Sequence, residues 1–544
     1  MRLSTCVPLV RRARVGRSCR FCRTEFDSEW LAGTRPAHAG RAASTEPVGS
    51  SHVCGRRVDL HDDLGLRVLR PAVVAGRGIR IGMNAEYDLI VIGGGAGGMS
   101  AARTAARRGA RTLLVQAGPT GGECTYTGCI PSKALIAAAA VGRTFDEAMR
   151  SVRRSIDTVA ATAADDVFAN EGIAIVHGRA RFRSPTELDV DGRRLSARRF
   201  VLAAGTHPAV PAIAGLDEVD YLTNETVFDL DAQPRSLAVL GGGPMGCELA
   251  QAFSRLGSIV TIIEQLDRLL PREDPDASAA IAEVFAAEAI AVLVRTEVVR
   301  AEALDSKGAA RLHLADGSTF DADRLLVAAG RTASTDGVGL DLAGVATGRG
   351  YVVTDDHLAT SASGIWAAGD VTGRLALTHA ADEMGRLAAT NALSPRWRRR
   401  RFDASAIPWV TYTDPEVARV GLTEDAAATA GPARVAFLPM AEVDRAIVAE
   451  QTAGFVKLVA GPRPVLRTVG GGRLLGATIV ATRAGELIHE PTLAMRTRMF
   501  TGRLAQTVHA YPSWSIAVRQ AAAQFFFETE GRQARPARSR AEPS

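Results

Sequence analysis

Two glycine clusters in matching settings constrain this chain more than any other feature. The apolar strand Tyr87 to Ile92 runs into Gly93-Gly94-Gly95-Ala96-Gly97-Gly98. A helical stretch from Met99 to Arg108 follows, then Gly109 and a second strand, Arg111 to Val115. Downstream, Ser236 to Leu240 runs into Gly241-Gly242-Gly243-Pro244-Met245-Gly246. A helix from about Cys247 to Leu256 follows, then Gly257 and the strand Ile259 to Ile263. Each copy is a G-x-G-x-x-G pattern in strand–turn–helix context. Gly93 and Gly241 permit the tight turn. Gly95 and Gly243 let backbone approach a pyrophosphate, and Gly98 and Gly246 let helix pack closely on strand. The helix N-terminus then faces the phosphates with its positive dipole end. One such cluster is a weak signal. Two with the same offsets and flanks predict two dinucleotide-binding units.

The residue ending the second strand of such a unit usually meets a ribose hydroxyl. In the second copy this is Glu264, 23 residues after Gly241, and the same offset from Gly93 lands on Gln116. A carboxylate accepts a 2′-hydroxyl and repels a 2′-phosphate, so Glu264 favours NADH over NADPH. Arg268 and Arg272 nearby keep NADPH open. Gln116 is neutral and binds a ribose more weakly.

Between the two copies lies Gly121-Gly122-Glu123-Cys124-Thr125-Tyr126-Thr127-Gly128-Cys129-Ile130-Pro131-Ser132-Lys133, followed by the helical run Ala134 to Val141. Pro131 suits a first helical turn, which puts Cys129 at the helix start. There the dipole and Lys133 stabilise a thiolate and lower its pKa. Gly128 gives the loop freedom to return Cys124 beside Cys129. A close cysteine pair is catalytic or metal-binding more often than structural in a chain this sparse in cysteine. Zinc is disfavoured because no second pair of ligands lies near. Cys247 sits on an apolar helix face and reads as packing.

At 544 residues the chain is long enough for about three domains. No run of about 18 apolar residues marks a membrane span. The net charge of +6 is unevenly placed: residues 1–82 hold 15 Arg and no Lys against 7 acids, and the rest holds 50 basic and 52 acidic residues. The basic excess therefore belongs to the leader. Neither a nucleic-acid nor a membrane partner is expected, and a cytoplasmic location is. Three readings of 1–82 stay open: translation from Met83 with a disordered or spurious leader, a targeting peptide, or a small metal module on Cys19-x-x-Cys22 with Cys6, His52, Cys54 and His61.

The segment Gly122-Glu123-Cys124 through Gly128-Cys129-Ile130-Pro131-Ser132-Lys133 resembles the redox motif of the pyridine nucleotide-disulfide oxidoreductases, and the resemblance covers essentially 86–527. That family includes dihydrolipoamide dehydrogenase, glutathione reductase and mercuric reductase. Leu326-Val327-Ala328-Ala329-Gly330-Arg331 is similar to the segment returning the chain to the FAD domain. Ile365-Trp366-Ala367-Ala368-Gly369-Asp370 is similar to the second FAD motif, and Leu377-Thr378-His379-Ala380 to the helix start under the flavin pyrimidine. Pro408-Trp409-Val410 through Pro415-Glu416-Val417-Ala418 is similar to the opening of the dimerisation domain.

The resemblance implies an α/β fold: two Rossmann-like nucleotide-binding domains, for FAD and NAD(P), plus a C-terminal α+β dimerisation domain. The implied boundaries are 83–233 (FAD, first part), 234–330 (NAD(P)), 331–404 (FAD, second part) and 405–530 (dimerisation), with 531–544 a disordered tail. It implies a homodimer and a redox-active disulfide. Cys129 is the implied flavin-proximal, charge-transfer thiol and Cys124 the interchange thiol. Lys133 and Glu248 are the implied ion pair at the nicotinamide face, and Asp370 is implied to hold the ribityl chain. Gly122, Gly330 and Thr378 fall in its cofactor-binding motifs.

One departure matters. Disulfide reductases of this family usually carry His-Pro near the C-terminus, with Glu five residues after the His. Here the segment is His509-Ala510-Tyr511-Pro512-Ser513-Trp514-Ser515-Ile516. Tyr511 holds the His position and Ile516 the Glu position. A phenol with a pKa near 10 is a poor base, and His509 is the candidate substitute. Tyr511 points to the mercuric-reductase branch, although that branch's terminal cysteine pair is missing. The expected activity is NAD(P)H-driven reduction of a metal ion, a small disulfide or a quinone. The alternatives are a dihydrolipoamide dehydrogenase with an atypical base, and a non-enzymatic flavoprotein sensor or complex subunit.

Overall fold

The computed structural model describes residues 86–539 apart from 464, 466 and 530, so the readings of 1–82 lie outside the described residues. The first fingerprint strand, Leu89–Ile92, is buried at every position, as an unbroken apolar run in a parallel sheet requires. It sits at the centre of a five-stranded parallel sheet in the order Ile365–Ala367, Phe200–Leu202, Leu89–Ile92, Thr112–Gln116, Ile173–His177. Its alternate residues face two layers. Leu89 and Val91 join a core with the helices Ala96–Arg107 and Thr378–Ala392. Ile90 and Ile92 pack against a three-stranded antiparallel sheet spanning Ala180–Ser184, Glu187–Val190 and Arg193–Ser196. The two helices approach so closely that a Cβ on Gly385 would stand 1.9 Å from the carbonyl oxygen of Gly97.

The second unit repeats this plan. Its parallel strands run in the order Ala291–Leu293, Ile259–Ile263, Ser236–Leu240, Arg324–Val327. One face carries the helix Pro244–Arg255. The other carries the antiparallel strands Val298–Ala303, Ala310–Leu314 and Thr319–Ala322. Both fingerprint helices begin three residues earlier than the sequence reading placed them, at Ala96 and Pro244. Pro244 suits a first helical turn, and Gly98 and Gly246 are held inside that turn by their close approach to the Gly93 and Gly241 carbonyls.

The third unit is a six-stranded antiparallel sheet in the order Trp409–Thr411, Glu416–Gly421, Arg473–Ala481, Phe455–Gly461, Arg434–Pro439, Arg535–Pro536. The last strand corrects the expectation of a disordered tail over 531–544. Within the described part, Arg535–Pro536 pairs with the edge strand Arg434–Pro439. Arg532 pairs with Glu442, and Arg535 with Glu424. An Arg-rich composition reads as disorder in isolation. Here an open sheet edge and two carboxylates supply partners that composition does not show.

Lys457 joins this sheet to the second unit. It is 2% exposed and donates to Asp274 (2.8 Å), Asp276 (2.6 Å) and Glu424 (3.2 Å). Burial opposes its charge, but the carboxylates, Asp274 foremost, outweigh burial and raise its pKa. Lys457→Met is expected to destabilise the protein by about 3–5 kcal/mol, because it strands buried carboxylates rather than removing a pair. Urea unfolding at pH 7 measures this; a loss under about 1 kcal/mol would mean the cluster behaves like a surface pair.

Candidate active site

The two fingerprints meet the steric roles expected of them. Gly93 and Gly241 have φ of 102° and 116°. A Cβ on Gly98 would fall 1.7 Å from the Gly93 oxygen, and one on Gly246 would fall 2.0 Å from the Gly241 oxygen. The middle glycines differ in kind. Gly95 has nothing nearer than 3.9 Å, the Gly122 Cα, and Gly243 has nothing within 4 Å. Space is kept where a ligand would approach. Neither helix has a side-chain cap at its N-terminus, so the first-turn N–H groups remain for phosphate oxygens.

Gln116 and Glu264 do something the sequence reading missed. Each turns back onto the middle of its own fingerprint. Gly94 N donates to Gln116 Oε1 (2.5 Å), and Gly242 N donates to Glu264 Oε2 (2.7 Å). Glu264 Oε1 accepts from Leu266 N (2.8 Å), and Gln116 Nε2 donates to the Pro119 carbonyl (3.2 Å). Both side chains therefore shape the turn. The matching offsets were the signal that could have found this.

A cavity of about 1110 Å³ opens at the C-terminal ends of the first sheet, the place where parallel α/β sheets bind ligands. Its wall includes Gly95, Cys124, Cys129, Lys133, Glu248 and Asp370. The redox segment forms a short helix, Gly122–Tyr126, followed by the helix Cys129–Ala140. Cys129 is the first residue of that helix, as expected. Gly122 has φ 66°, and a Cβ there would stand 2.6 Å from the Gly95 Cα. The short helix thus lies directly on the first fingerprint.

Both thiols are free in this structure. Cys129 Sγ is 3.2 Å from the Thr378 hydroxyl, at the first residue of the helix Thr378–Ala392. The Cys124 thiol, the Thr378 hydroxyl and the Lys133 ammonium hold Cys129 at about 6, against burial and the Glu248 charge. The same hydrogen bond between the thiols, together with burial, pushes Cys124 far above an ordinary thiol. One sulfur is thus a thiolate at neutral pH and its neighbour a thiol. Cys247 is fully buried, with its thiol directed at the Gly242 carbonyl (3.3 Å), and burial raises its pKa.

Lys133 Nζ donates to Glu248 Oε2 at 2.6 Å. Glu248 is 5% exposed, and its Oε1 accepts from Tyr412 N at 2.8 Å. Lys133 also lies over the Tyr412 ring, 4.6 Å from its centroid. A second network flanks Cys124. Arg331 donates to Glu123, and to the Thr206 hydroxyl (2.7 Å) and carbonyl (3.0 Å). Asn224 donates to Glu123 Oε1 (2.7 Å) and the Thr127 carbonyl (3.1 Å). Thr206 donates to Asp370 Oδ2 (3.3 Å). Burial raises the pKa of both Glu123 and Asp370, and Arg331 pulls each back. Glu123 and Arg331 stood in the quoted motifs without a role, and Asn224 and Tyr412 were not singled out in the sequence. A charge inside a cysteine loop demands a partner, and that was the available signal for Glu123.

Within one protomer Tyr511 stands apart from this cavity. It is 70% exposed and donates to Asp444 Oδ2 at 2.8 Å, which raises its pKa. His509 has both ring nitrogens engaged, with the Thr507 carbonyl (3.0 Å) and Glu490 Oε2 (3.0 Å). That geometry leaves no ring nitrogen for a substrate.

Residues 87–385 match the family model for pyridine nucleotide-disulphide oxidoreductases, and 407–522 match that family's dimerisation domain. The chain belongs to the pyridine nucleotide-disulphide oxidoreductases. It is 39% identical over 466 residues to a mercuric reductase of Streptomyces lividans, covering 81% of this chain and 96% of that protein. A dihydrolipoyl dehydrogenase of Chlorobaculum tepidum is 35% identical over 470 residues, covering 80% and 97%. Among solved structures, the HOCl-induced flavoprotein disulfide reductase RclA of Escherichia coli, as its Cu(II) complex, superposes with TM-score 0.74 at 28% identity, covering 81% of this chain and 99% of that one. LpdA of Mycobacterium tuberculosis does so with TM-score 0.72 at 29% identity, covering 81% and 100%. The protein is an FAD-dependent oxidoreductase of pyridine nucleotides, with the α/β architecture and C-terminal dimerisation domain of its family. The open middle glycines, the uncapped helix ends and the half-buried Asp370 lining the cavity fit that cofactor.

Proposed function

We propose that this enzyme is mercuric-reductase-like, a cytoplasmic homodimer that passes electrons from NAD(P)H through Cys129 and Cys124 to a soft metal ion, a small disulfide or a quinone. The carrying observation is that the helix-start Cys129 shares one cavity with Cys124, the first fingerprint and the Lys133–Glu248 pair. Bound FAD supplies the two-electron relay between the nicotinamide and the cysteine pair. The chain's own residues divide the remaining work. Gly93, Gly95, Gly98, Gly122, Gln116, Asp370 and Thr378 hold the first nucleotide. Gly241, Gly243, Gly246, Glu264 and Gly330 serve the second. Lys133 and Glu248 line the nicotinamide face.

Opening a Cys124–Cys129 disulfide takes two electrons and one proton. The proton goes to Cys124, whose pKa is far higher, and Cys129 is left as the thiolate. Cys124 then meets the acceptor. A metal ion held by two sulfurs leaves without protonation of a thiolate leaving group, so it needs no histidine base. Soft metals also prefer thiolate ligands. Tyr511 in place of that base therefore favours a metal ion over lipoamide.

The experiment is an anaerobic NADH titration followed by absorbance, then steady-state assays with mercuric ion, small disulfides, quinones and lipoamide. A long-wavelength thiolate–flavin band at two electrons supports the reading. Flavin bleaching without that band overturns it, and turnover highest with lipoamide would assign dihydrolipoamide dehydrogenase. For nucleotide choice, Glu264→Ala is expected to raise KM for NADH by about tenfold and for NADPH by less. Equal losses would assign Glu264 to the turn alone.

A further inference from the structure

The sequence holds its basic excess in the first 82 residues, with the remainder near neutral. That average hides a local concentration. Between the helix Thr378–Ala392 and the third unit runs Pro395-Arg396-Trp397-Arg398-Arg399-Arg400-Arg401, five arginines in seven residues. Arg396 to Arg398 form a single 3-10 turn. Arg396, Arg398, Arg400 and Arg401 are exposed, and Trp397 is 76% exposed.

The segment is held rather than loose. The fully buried Asn391 accepts from Arg400 N (2.9 Å) and donates to the Arg400 carbonyl (2.8 Å) and the His357 carbonyl (2.9 Å). Phe402 N donates to the Asp356 carbonyl (2.8 Å). Arg399 turns inward over the buried Trp366 ring, 5.1 Å from its centroid, where Arg399 Nε and Trp366 Nε1 have no hydrogen-bond partner among the described residues. Arg198, Arg199 and Arg399 lie close enough to repel, with Asp88 opposing.

Among the described residues, carboxylates neutralise this surface only in part. Asp356 is shared between Arg374 (3.9 Å) and Arg401 (3.7 Å). Asp403 lies in the field of Arg496 and Arg498. Arg398 lies over the Trp397 ring, 4.5 Å from its centroid, a contact that leaves its charge in place. A fold that clamps like charges together carries a standing repulsion, which an anionic counter-surface relieves.

We propose that the Arg396–Arg401 turn docks the enzyme onto an anionic phospholipid bilayer, with Trp397 as the interfacial anchor. An exposed indole set among arginines matches the interface, where the ring sits at headgroup level and the guanidinium groups meet phosphates. A single-stranded nucleic acid is instead held by a basic groove with successive stacking rings; here one exposed indole stands on one turn. This is attachment at the surface, involving no spanning helix. It revises the expectation of no membrane partner, which rested on the absence of an apolar run.

The test is co-sedimentation of the full-length, FAD-loaded protein with vesicles. One set contains equal parts phosphatidylglycerol and phosphatidylcholine, the other phosphatidylcholine alone. The protein is expected to sediment with the anionic vesicles only, less so as salt rises. Arg396→Gln, Arg398→Gln, Arg400→Gln and Arg401→Gln together are expected to weaken this by about tenfold or more, and Trp397→Ala by a smaller factor. NADH reduction of the flavin and the Tm stay unchanged in both variants. Three results each overturn the proposal: no sedimentation with anionic vesicles at low salt, equal sedimentation by the quadruple variant, or preferential capture by a single-stranded oligonucleotide that the same variant loses. The second would assign lipid binding to the arginines of residues 1–82.

Discussion

The Cys129→Ser protein is expected to keep its FAD and to lose NAD(P)H-driven reduction of acceptors by at least about a thousandfold. Serine is nearly the size of cysteine, so the helix start and the Thr378 contact should survive. What goes is the sulfur that, among the described residues lining the cavity, is held at about 6. Its partner cannot replace it, because hydrogen bonding to Cys129 and burial push Cys124 far upward. Rapid mixing with NADH should still reduce the flavin, so electrons enter and stall. Steady-state turnover checks the loss, and flavin absorbance of the purified variant checks retention. Full activity in this variant would remove the cysteine pair from the mechanism.

Lys133→Met and Glu248→Gln are expected to move the Cys129 titration in opposite directions. Lys133 lowers the thiol and Glu248 raises it, with Cys129 itself at about 6. Removing the ammonium therefore lifts the pKa toward the ordinary thiol range. A thiolate exists above its pKa, so the loss is greatest between pH 6 and about 8.5, where free thiols ionise anyway. At pH 7 the alkylation rate of Lys133→Met should fall by about tenfold. Glu248→Gln should shift the same profile to lower pH. Iodoacetamide alkylation of the reduced protein, followed across pH, reads both. Shifts of the same sign would mean that the two side chains act through packing and not through charge.

The fingerprints were legible because their roles are local. A positive φ at Gly93, a Cβ clash at Gly98 and open space at Gly95 all arise within one strand–turn–helix, and the second copy repeats them. Cys129 at a helix start was legible for the same reason: Pro131 and the apolar run mark the helix. The contacts that the sequence did not show join distant partners. Thr378 meets Cys129 across 249 positions, and Glu123 meets Arg331 across 208. No periodicity in the chain carries that information. The tail was misread because a strand edge and the carboxylates Glu424 and Glu442 lie about a hundred residues upstream.

The order of residues therefore carries the outline of the chemistry: two nucleotide units, a cysteine pair with Cys129 at a helix start, and Tyr511 where the family resemblance leads one to expect a histidine. Folding decides how that chemistry is tuned. The two thiols have the same intrinsic acidity in the unfolded chain. Cys129 ends at about 6 and Cys124 far above it, first through the hydrogen bond between the two thiols, then through Thr378 and Lys133 at Cys129, with burial and Glu248 opposing there. Charge acts through space and falls with distance, so its effect waits on tertiary contacts. The same physics brings Arg374 and Arg401 to Asp356, and Arg496 and Arg498 to Asp403.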